Sequence, residues 1–491
     1  MSVLAIDAGT TGVTALVVTE DGQIDSRGYE EFAQYFPEAG WVEHAPEGIW
    51  QATLAACRTA LDRASSVPTC VGLTNQRETA VLWDRETLAA PCRAIVWQDR
   101  RTAGICARLR EAGHEPRVAE LTGLRLDPYF TASKFTWLAE HDPRAWAGVR
   151  EGRVALGTVD SYLVARLTAG ALHVTDPSNA SRTLLYGLVD GGWKEELCEL
   201  FGVPMDALPR IVPNYGVLGH TSPGAFLGLS LPISGMAGDQ QAALFGQTCF
   251  APGDVKCTYG TGSFILINTG DEIVRSEAGL LTTVAWQTPE GARTYALEGS
   301  IFVTGAAVQW LRDGLGLIGS APESEALART VPDSGGVVFV PALTGLGAPH
   351  WDPGARGTIV GITRGTTRAH LVRATLEAIA FEVRDVVEAM TGEAGRAVPV
   401  LKADGGASGN DLLMRLQADQ LGTPVERPKI QETTALGAAF LAGLGAGVWA
   451  SPEELRKTWH LDRRFEPGER DEAGYERWRR AVERSRDWAS T

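Results

Sequence analysis

The sequence predicts an α/β protein built by duplication, and three observations carry that expectation. A strand, a tip rich in Gly and Thr, and a second strand occur at residues 3–18 and again at 255–268. Near the middle of the chain an apolar run, 231–237, reads as a buried strand and passes through Gly238-Asp239 into a helical pattern. Further apolar runs at 71–73, 94–96 and 398–401 each end in polar or Gly-rich residues, as strands do when they feed loops at one edge of a sheet.

Composition bounds the function. The chain has 491 residues, 44% hydrophobic and 21% charged, enough for more than one core. Its net charge of −15 argues against nucleic-acid binding, which needs a basic face. Seven cysteines (Cys57, Cys70, Cys92, Cys106, Cys198, Cys249 and Cys257) are scattered with no C-x-x-C spacing. That fits reduced thiols in a cytoplasmic protein, not a disulfide framework or a zinc site. Neither a signal peptide nor a membrane-spanning stretch is expected.

In chain order, Asp7-Ala8-Gly9-Thr10-Thr11-Gly12 forms the first hairpin tip. Gly lets backbone approach a phosphate, hydroxyls and N–H groups can donate to it, and Asp7 could hold Mg²⁺ through water. The competing reading is a plain hairpin turn. Residues 46–61 read as a helix with Trp50, Leu54, Cys57 and Leu61 on one face. The strand at 71–73 runs into Thr74-Asn75-Gln76-Arg77-Glu78-Thr79. Arg77 and Glu78 could grip vicinal hydroxyls, one donating and one accepting; the alternative is a surface ion pair of little worth. Trp97 follows the next strand, as an apolar wall for a polyol or as ordinary core.

Asp239 sits where a strand's carboxyl end meets a helix N-terminus, the usual ligand position in an open α/β sheet. It could take a proton from a hydroxyl, or simply be an N-cap. Past it, Tyr259-Gly260-Thr261-Gly262-Ser263-Phe264 repeats the first hairpin tip. Asp404-Gly405-Gly406-Ala407 and Asn410 form another Gly-rich site, and the helix opening at Thr434 is made of small residues. Val372, Leu376, Ile379, Ala380, Val383, Val387 and Met390 mark a buried helix. Trp478, Ala481, Val482, Ser485 and Trp488 mark an amphipathic one at the end. No P-loop and no protein-kinase signature occurs, so phosphate chemistry would have to use the paired hairpins.

From residue 4 to about 488 these motifs resemble the FGGY family of carbohydrate kinases. The first family signature reads Tyr129-x-Thr131-x-x-Lys134-Phe135-x-Trp137-Leu138-x-Glu140-His141. The second reads Gly357-x-Ile359-x-Gly361-Ile362, then His370-Leu371 and Ala374-Thr375-Leu376-Glu377. Gly40-Trp41-Val42-Glu43-His44, Asn75-Gln76-Arg77-Glu78-Thr79, Val96-Trp97-Gln98, Asp127-Pro128-Tyr129-Phe130 and Ala237-Gly238-Asp239-Gln240-Gln241 are similar to the branch that phosphorylates glycerol.

The resemblance implies two ribonuclease-H-like (actin-like ATPase) domains, 1–247 and 248–491, with a catalytic cleft between them. It implies transfer of phosphate from ATP to glycerol with Mg²⁺, giving sn-glycerol 3-phosphate and ADP, in a cytoplasmic homodimer or homotetramer. It places Arg77, Glu78, Tyr129, Asp239 and Gln240 on glycerol, and Trp97 and Phe264 against its carbons. Asp239 would be the general base. Thr10 and Thr11 would face the γ-phosphate, Thr261, Gly305, Gln309, Gly406 and Asn410 the nucleotide, and Asp7 the magnesium.

Two stretches depart from the family. The glycerol branch reads D-Q-G-T-T-S-S-R at the first hairpin; Ala8, Gly12 and Thr14 stand here instead, without the expected Ser and Arg contacts to phosphate. The loop where some bacterial members bind fructose 1,6-bisphosphate is Pro223-Gly224-Ala225-Phe226-Leu227-Gly228-Leu229-Ser230, with no basic residue. Other readings are a kinase for another polyol, an actin-like nucleotide switch and a sugar-binding regulator. The switch needs no hydroxyl site, so the cluster of Arg77, Glu78, Tyr129 and Asp239 speaks against it. The two intact Gly-Thr hairpins weaken the regulator.

Overall fold

Each expected hairpin starts a sheet, in the computed structural model that describes residues 1–489. In the first, Ser2–Ala8 and Gly12–Thr19 pair antiparallel with Val3 opposite Val18. Ile24–Glu31 flanks this hairpin on one side. Cys70–Asn75 and then Pro232–Gly238 add on the other side, both parallel to the first strand's direction. In the second sheet Val255–Tyr259 and Ser263–Gly270 pair antiparallel, Val255 opposite Ile267. Arg293–Ile301 flanks that hairpin, and Leu401–Asp404 and Val425–Pro428 add in parallel on the far side. The order of strands and their directions repeat, so the duplication expected from the two hairpins holds at the level of topology.

Each sheet has its own apolar packing. Leu4, Ile6, Val17 and Leu73 meet the helix Pro46–Arg63 in the first. Val255, Ile265, Ile267 and Leu401 meet the helix Arg368–Ala394 in the second. All seven residues expected on that long helix's inner stripe are buried. Each fully buried Val, Leu or Ile contributes roughly 1.5–3 kcal/mol, so the stripe is a main attachment of this helix to its sheet.

Helix Thr433–Gly445 belongs to the second half of the chain but lies on the first sheet. Its small residues are a consequence of close approach. A Cβ on Gly437 would stand 1.8 Å from the Ala242 carbonyl, and one on Gly72 would stand 2.1 Å from that of Ala438.

Two local expectations need correcting. Helix Pro46–Arg63 buries Ile49, Trp50, Thr53, Ala56, Cys57 and Ala60. Leu54 and Leu61 lie at its rim, half-buried. The last helix, Glu472–Ser485, buries Trp478, Ala481, Val482 and Ser485. Trp488 lies past its end and is 74% exposed, because the chain leaves the helix at Arg486 in an extended conformation.

Candidate active site

Three parallel strands in register end at one edge of the first sheet. Ala8 lies opposite Asn75, and Asn75 opposite Gly238. That register brings Asp7, Arg77, Glu78 and Asp239 to the same edge, as an open sheet does with ligand groups. Asp239 is the first residue of helix Asp239–Gly246; the N-cap is Gly238. Its carboxylate is therefore not the cap. It accepts the Gln240 N–H at 2.7 Å and pairs with Arg77 Nε at 3.0 Å. It is 27% exposed while its partner Arg77 is 2% exposed, so Asp239 is the acid of this pair left open to a substrate.

Arg77 and Glu78 are not a surface pair: both are buried. Nor are they mainly each other's partner, at 3.8 Å. Arg77 reaches Glu298 through both terminal nitrogens, at 2.5 and 3.1 Å, and the Tyr129 hydroxyl at 3.4 Å. Glu78 accepts from Arg182 Nε at 2.7 Å. Burial would raise the Glu298 carboxyl, but the Arg182 and Arg77 guanidiniums hold it down at about 2. Burial pushes the Glu78 carboxyl up, against the pull of Arg77 and Arg182.

No motif in the sequence marks Glu298, Arg182 or Lys256 for a role. The available signal was a lone charge inside a strand: Glu298 within Tyr295-Ala296-Leu297-Glu298-Gly299, and Lys256 after Val255.

Aromatic rings close this cluster. Trp97 stands edge-on to Tyr129 at 5.7 Å and to Phe264 at 6.2 Å between ring centres. Lys134 donates to the carbonyls of Pro128, Tyr129 and Phe130 at 2.6–3.0 Å, fixing the loop that carries Tyr129. The Gln240 amide oxygen is engaged by Lys256 Nζ at 2.5 Å.

The two hairpin tips are built alike. Gly9 N–H donates to the Gly12 carbonyl at 3.0 Å, and Gly260 N–H to that of Gly262 at 2.8 Å. Thr11 and Thr261 are exposed at the two tips. Thr10 Oγ1 accepts the Trp97 indole N–H at 3.0 Å. Behind the second tip lies a cavity of about 560 Å³. Thr261, Gly305, Gln309, Gly406 and Asn410, the five residues expected on the nucleotide, all line it. Gly305 and Gln309 lie one turn apart on helix Gly305–Asp313. Asn410 also caps helix Asp411–Leu421, accepting the Leu413 N–H at 2.9 Å.

Asp7 suits a cation. Burial, and behind it the charge of Asp239, push its carboxyl up to about 7. No donor among the described residues satisfies it. Among the described residues no three His, Cys, Asp or Glu gather to hold a metal by themselves. A magnesium ion needs less, since it is commonly held by one or two carboxylates, waters and the substrate's own phosphates.

A buried acid–arginine cluster walled by aromatics, beside a hairpin-lined cavity, on a duplicated sheet, is the arrangement of a sugar or polyol kinase. The chain belongs to the FGGY family of carbohydrate kinases: residues 2–246 match the family's N-terminal domain and 255–446 its C-terminal domain. Its relatives include the glycerol kinases of Aromatoleum aromaticum, 55% identical with 99% of each chain covered, and of Symbiobacterium thermophilum, 53% identical with the same coverage. The crystal structure of Plasmodium falciparum glycerol kinase with ADP superposes with a TM-score of 0.90 at 35% identity, covering 99% of this chain and 98% of that one.

Proposed function

We propose that this protein transfers the terminal phosphoryl group of ATP to glycerol, yielding ADP and sn-glycerol 3-phosphate. The observation that carries the reading is Asp239, the open carboxylate 3.0 Å from a buried arginine at the mouth of the aromatic-walled cluster. Arg77, Glu78 and Tyr129 offer donors and acceptors to neighbouring hydroxyls, with Gln240 beside them. Trp97 and Phe264 cover the carbon side.

Asp239 accepts the proton of the terminal hydroxyl as the new P–O bond forms. Phosphoryl transfer is mostly positioning and charge stabilisation. Thr10 and Thr11 on one hairpin and Thr261 on the other face the phosphates. Gly305, Gln309, Gly406 and Asn410 hold the nucleotide. Asp7 would hold Mg²⁺, which when bound would neutralise phosphate charge. Enclosure between the halves 1–247 and 248–491 keeps out water, the competing acceptor.

The family reading carries a cytoplasmic homodimer or homotetramer with it, and seven free thiols support that compartment. No helix among the described residues is long and apolar enough to cross a membrane. Product identification tests the reading. ATP, Mg²⁺ and glycerol should give a product oxidised by a dehydrogenase specific for sn-glycerol 3-phosphate. ADP without that product would refute it.

A further inference from the structure

We propose that Glu298, a strand residue of the second half, is a positioning residue for the acceptor site of the first half. The proposal rests on the glycerol reading, but it concerns a residue which that reading does not use.

Glu298 lies in the strand Arg293–Ile301 and its side chain is wholly enclosed. One carboxylate holds both cations that surround the acceptor site. It grips Arg77 with two hydrogen bonds, leaving Arg77 Nε turned to Asp239. It accepts from Arg182 Nη2 at 3.0 Å, and Arg182 Nε in turn holds Glu78 at 2.7 Å. Both polar groups expected on the vicinal hydroxyls are therefore oriented through Glu298. In the sheet Phe264 lies opposite Ser300, and Leu266 opposite Glu298. Alternation along paired strands puts Glu298 on the same face as the aromatic wall residue Phe264.

Stability of the fold gives no reason for this arrangement. Buried ion pairs can often be replaced by apolar residues without loss, because desolvation offsets their attraction. Orientation of a fork-shaped guanidinium is what a bidentate carboxylate supplies. Lys256, also from the second half, donates to the Gln240 amide oxygen. The acceptor site is thus braced from the opposite half at two points.

The test compares Glu298→Gln and Glu298→Asp with the unaltered enzyme in steady-state kinetics, together with melting temperatures. Gln keeps the shape and loses the charge. Asp keeps the charge but is too short to bridge Arg77 and Arg182. Both should raise the KM for glycerol about tenfold or more while the KM for ATP stays within about twofold. A glycerol KM within about twofold of the unaltered enzyme in both variants would overturn the proposal, as would equal increases in both KM values. Recovery of both variants only as unfolded protein would assign Glu298 to folding and overturn it as well. If the unaltered enzyme prefers another polyol, that polyol replaces glycerol in the comparison. Failure of the glycerol reading then shows in the unaltered enzyme, and failure of this proposal in the variants alone.

Discussion

The indole N–H of Trp97 donates to Thr10 at 3.0 Å, joining the aromatic wall to the first hairpin tip. The bond makes the position of the hairpin depend on the wall. Trp97→Phe keeps a ring in the aromatic wall and deletes the bond. A net hydrogen bond contributes about 0.5–1.5 kcal/mol, so kcat should fall roughly 2–13-fold. The KM for glycerol should change less than about threefold, since the ring remains. Steady-state kinetics with glycerol varied at saturating ATP measures both.

Asp239→Asn should keep acceptor binding and lose turnover. The amide preserves size and can still accept a hydrogen bond, but it cannot take up the hydroxyl proton. General-base catalysis contributes roughly 10²–10⁴-fold, and kcat should fall within that range. Glycerol binding measured by calorimetry should change far less. An unchanged kcat would remove Asp239 as the base.

Gly305→Ala should separate the donor from the acceptor. A Cβ there would stand 2.6 Å from the Gly260 carbonyl, in the tip of the second hairpin. The hairpin must shift, which alters the lining of the cavity behind it. The KM for ATP should rise by about tenfold or more and that for glycerol by less than about twofold.

The close packing of helix Thr433–Gly445 against the helix that carries Asp239 predicts a stability effect that also reaches the site. Gly437→Ala forces a methyl group onto backbone 1.8 Å away. Overpacking of this kind typically costs about 1–3 kcal/mol. Denaturant unfolding should show that loss, and because Ala242 shares a helix with Asp239, kcat should fall with it.

Asp7 predicts a pH dependence. Its carboxyl titrates at about 7 in the folded chain, against an ordinary value of 3.8. Between those values the folded state holds a proton that the unfolded state has released. Its contribution to stability therefore falls as pH rises through that interval. Asp7→Asn removes the fall. In magnesium-free buffer the variant should gain about 1–3 kcal/mol over the unaltered protein between pH 5 and pH 8. An advantage independent of pH would contradict the assignment.

Much of this site was legible in the sequence because its residues follow strands directly. Asp7, Arg77, Glu78 and Asp239 stand at or just past the ends of short apolar runs, and register alone brings them together. The hairpin threonines were legible for the same reason, through a pattern that occurs twice. Glu298 and Arg182 were not. They act by pairing across 116 positions of sequence, and no local pattern encodes such a distance. Gln240 shows the opposite difficulty: the motif marks it as a substrate contact, while the fold also gives its oxygen to Lys256. The rim position of Leu54 and the exposure of Trp488 depend on where helices end and how they roll, which periodicity fixes poorly.

Phosphoryl transfer to glycerol is measured most directly as ADP release in the presence of ATP and Mg²⁺ with glycerol, dihydroxyacetone, erythritol, xylulose, ribulose or no acceptor. Glycerol should give the highest kcat/KM, with little ADP release when no acceptor is present. Equal ADP release with and without acceptors would contradict transfer to glycerol and leave a nucleotide hydrolase on the same fold.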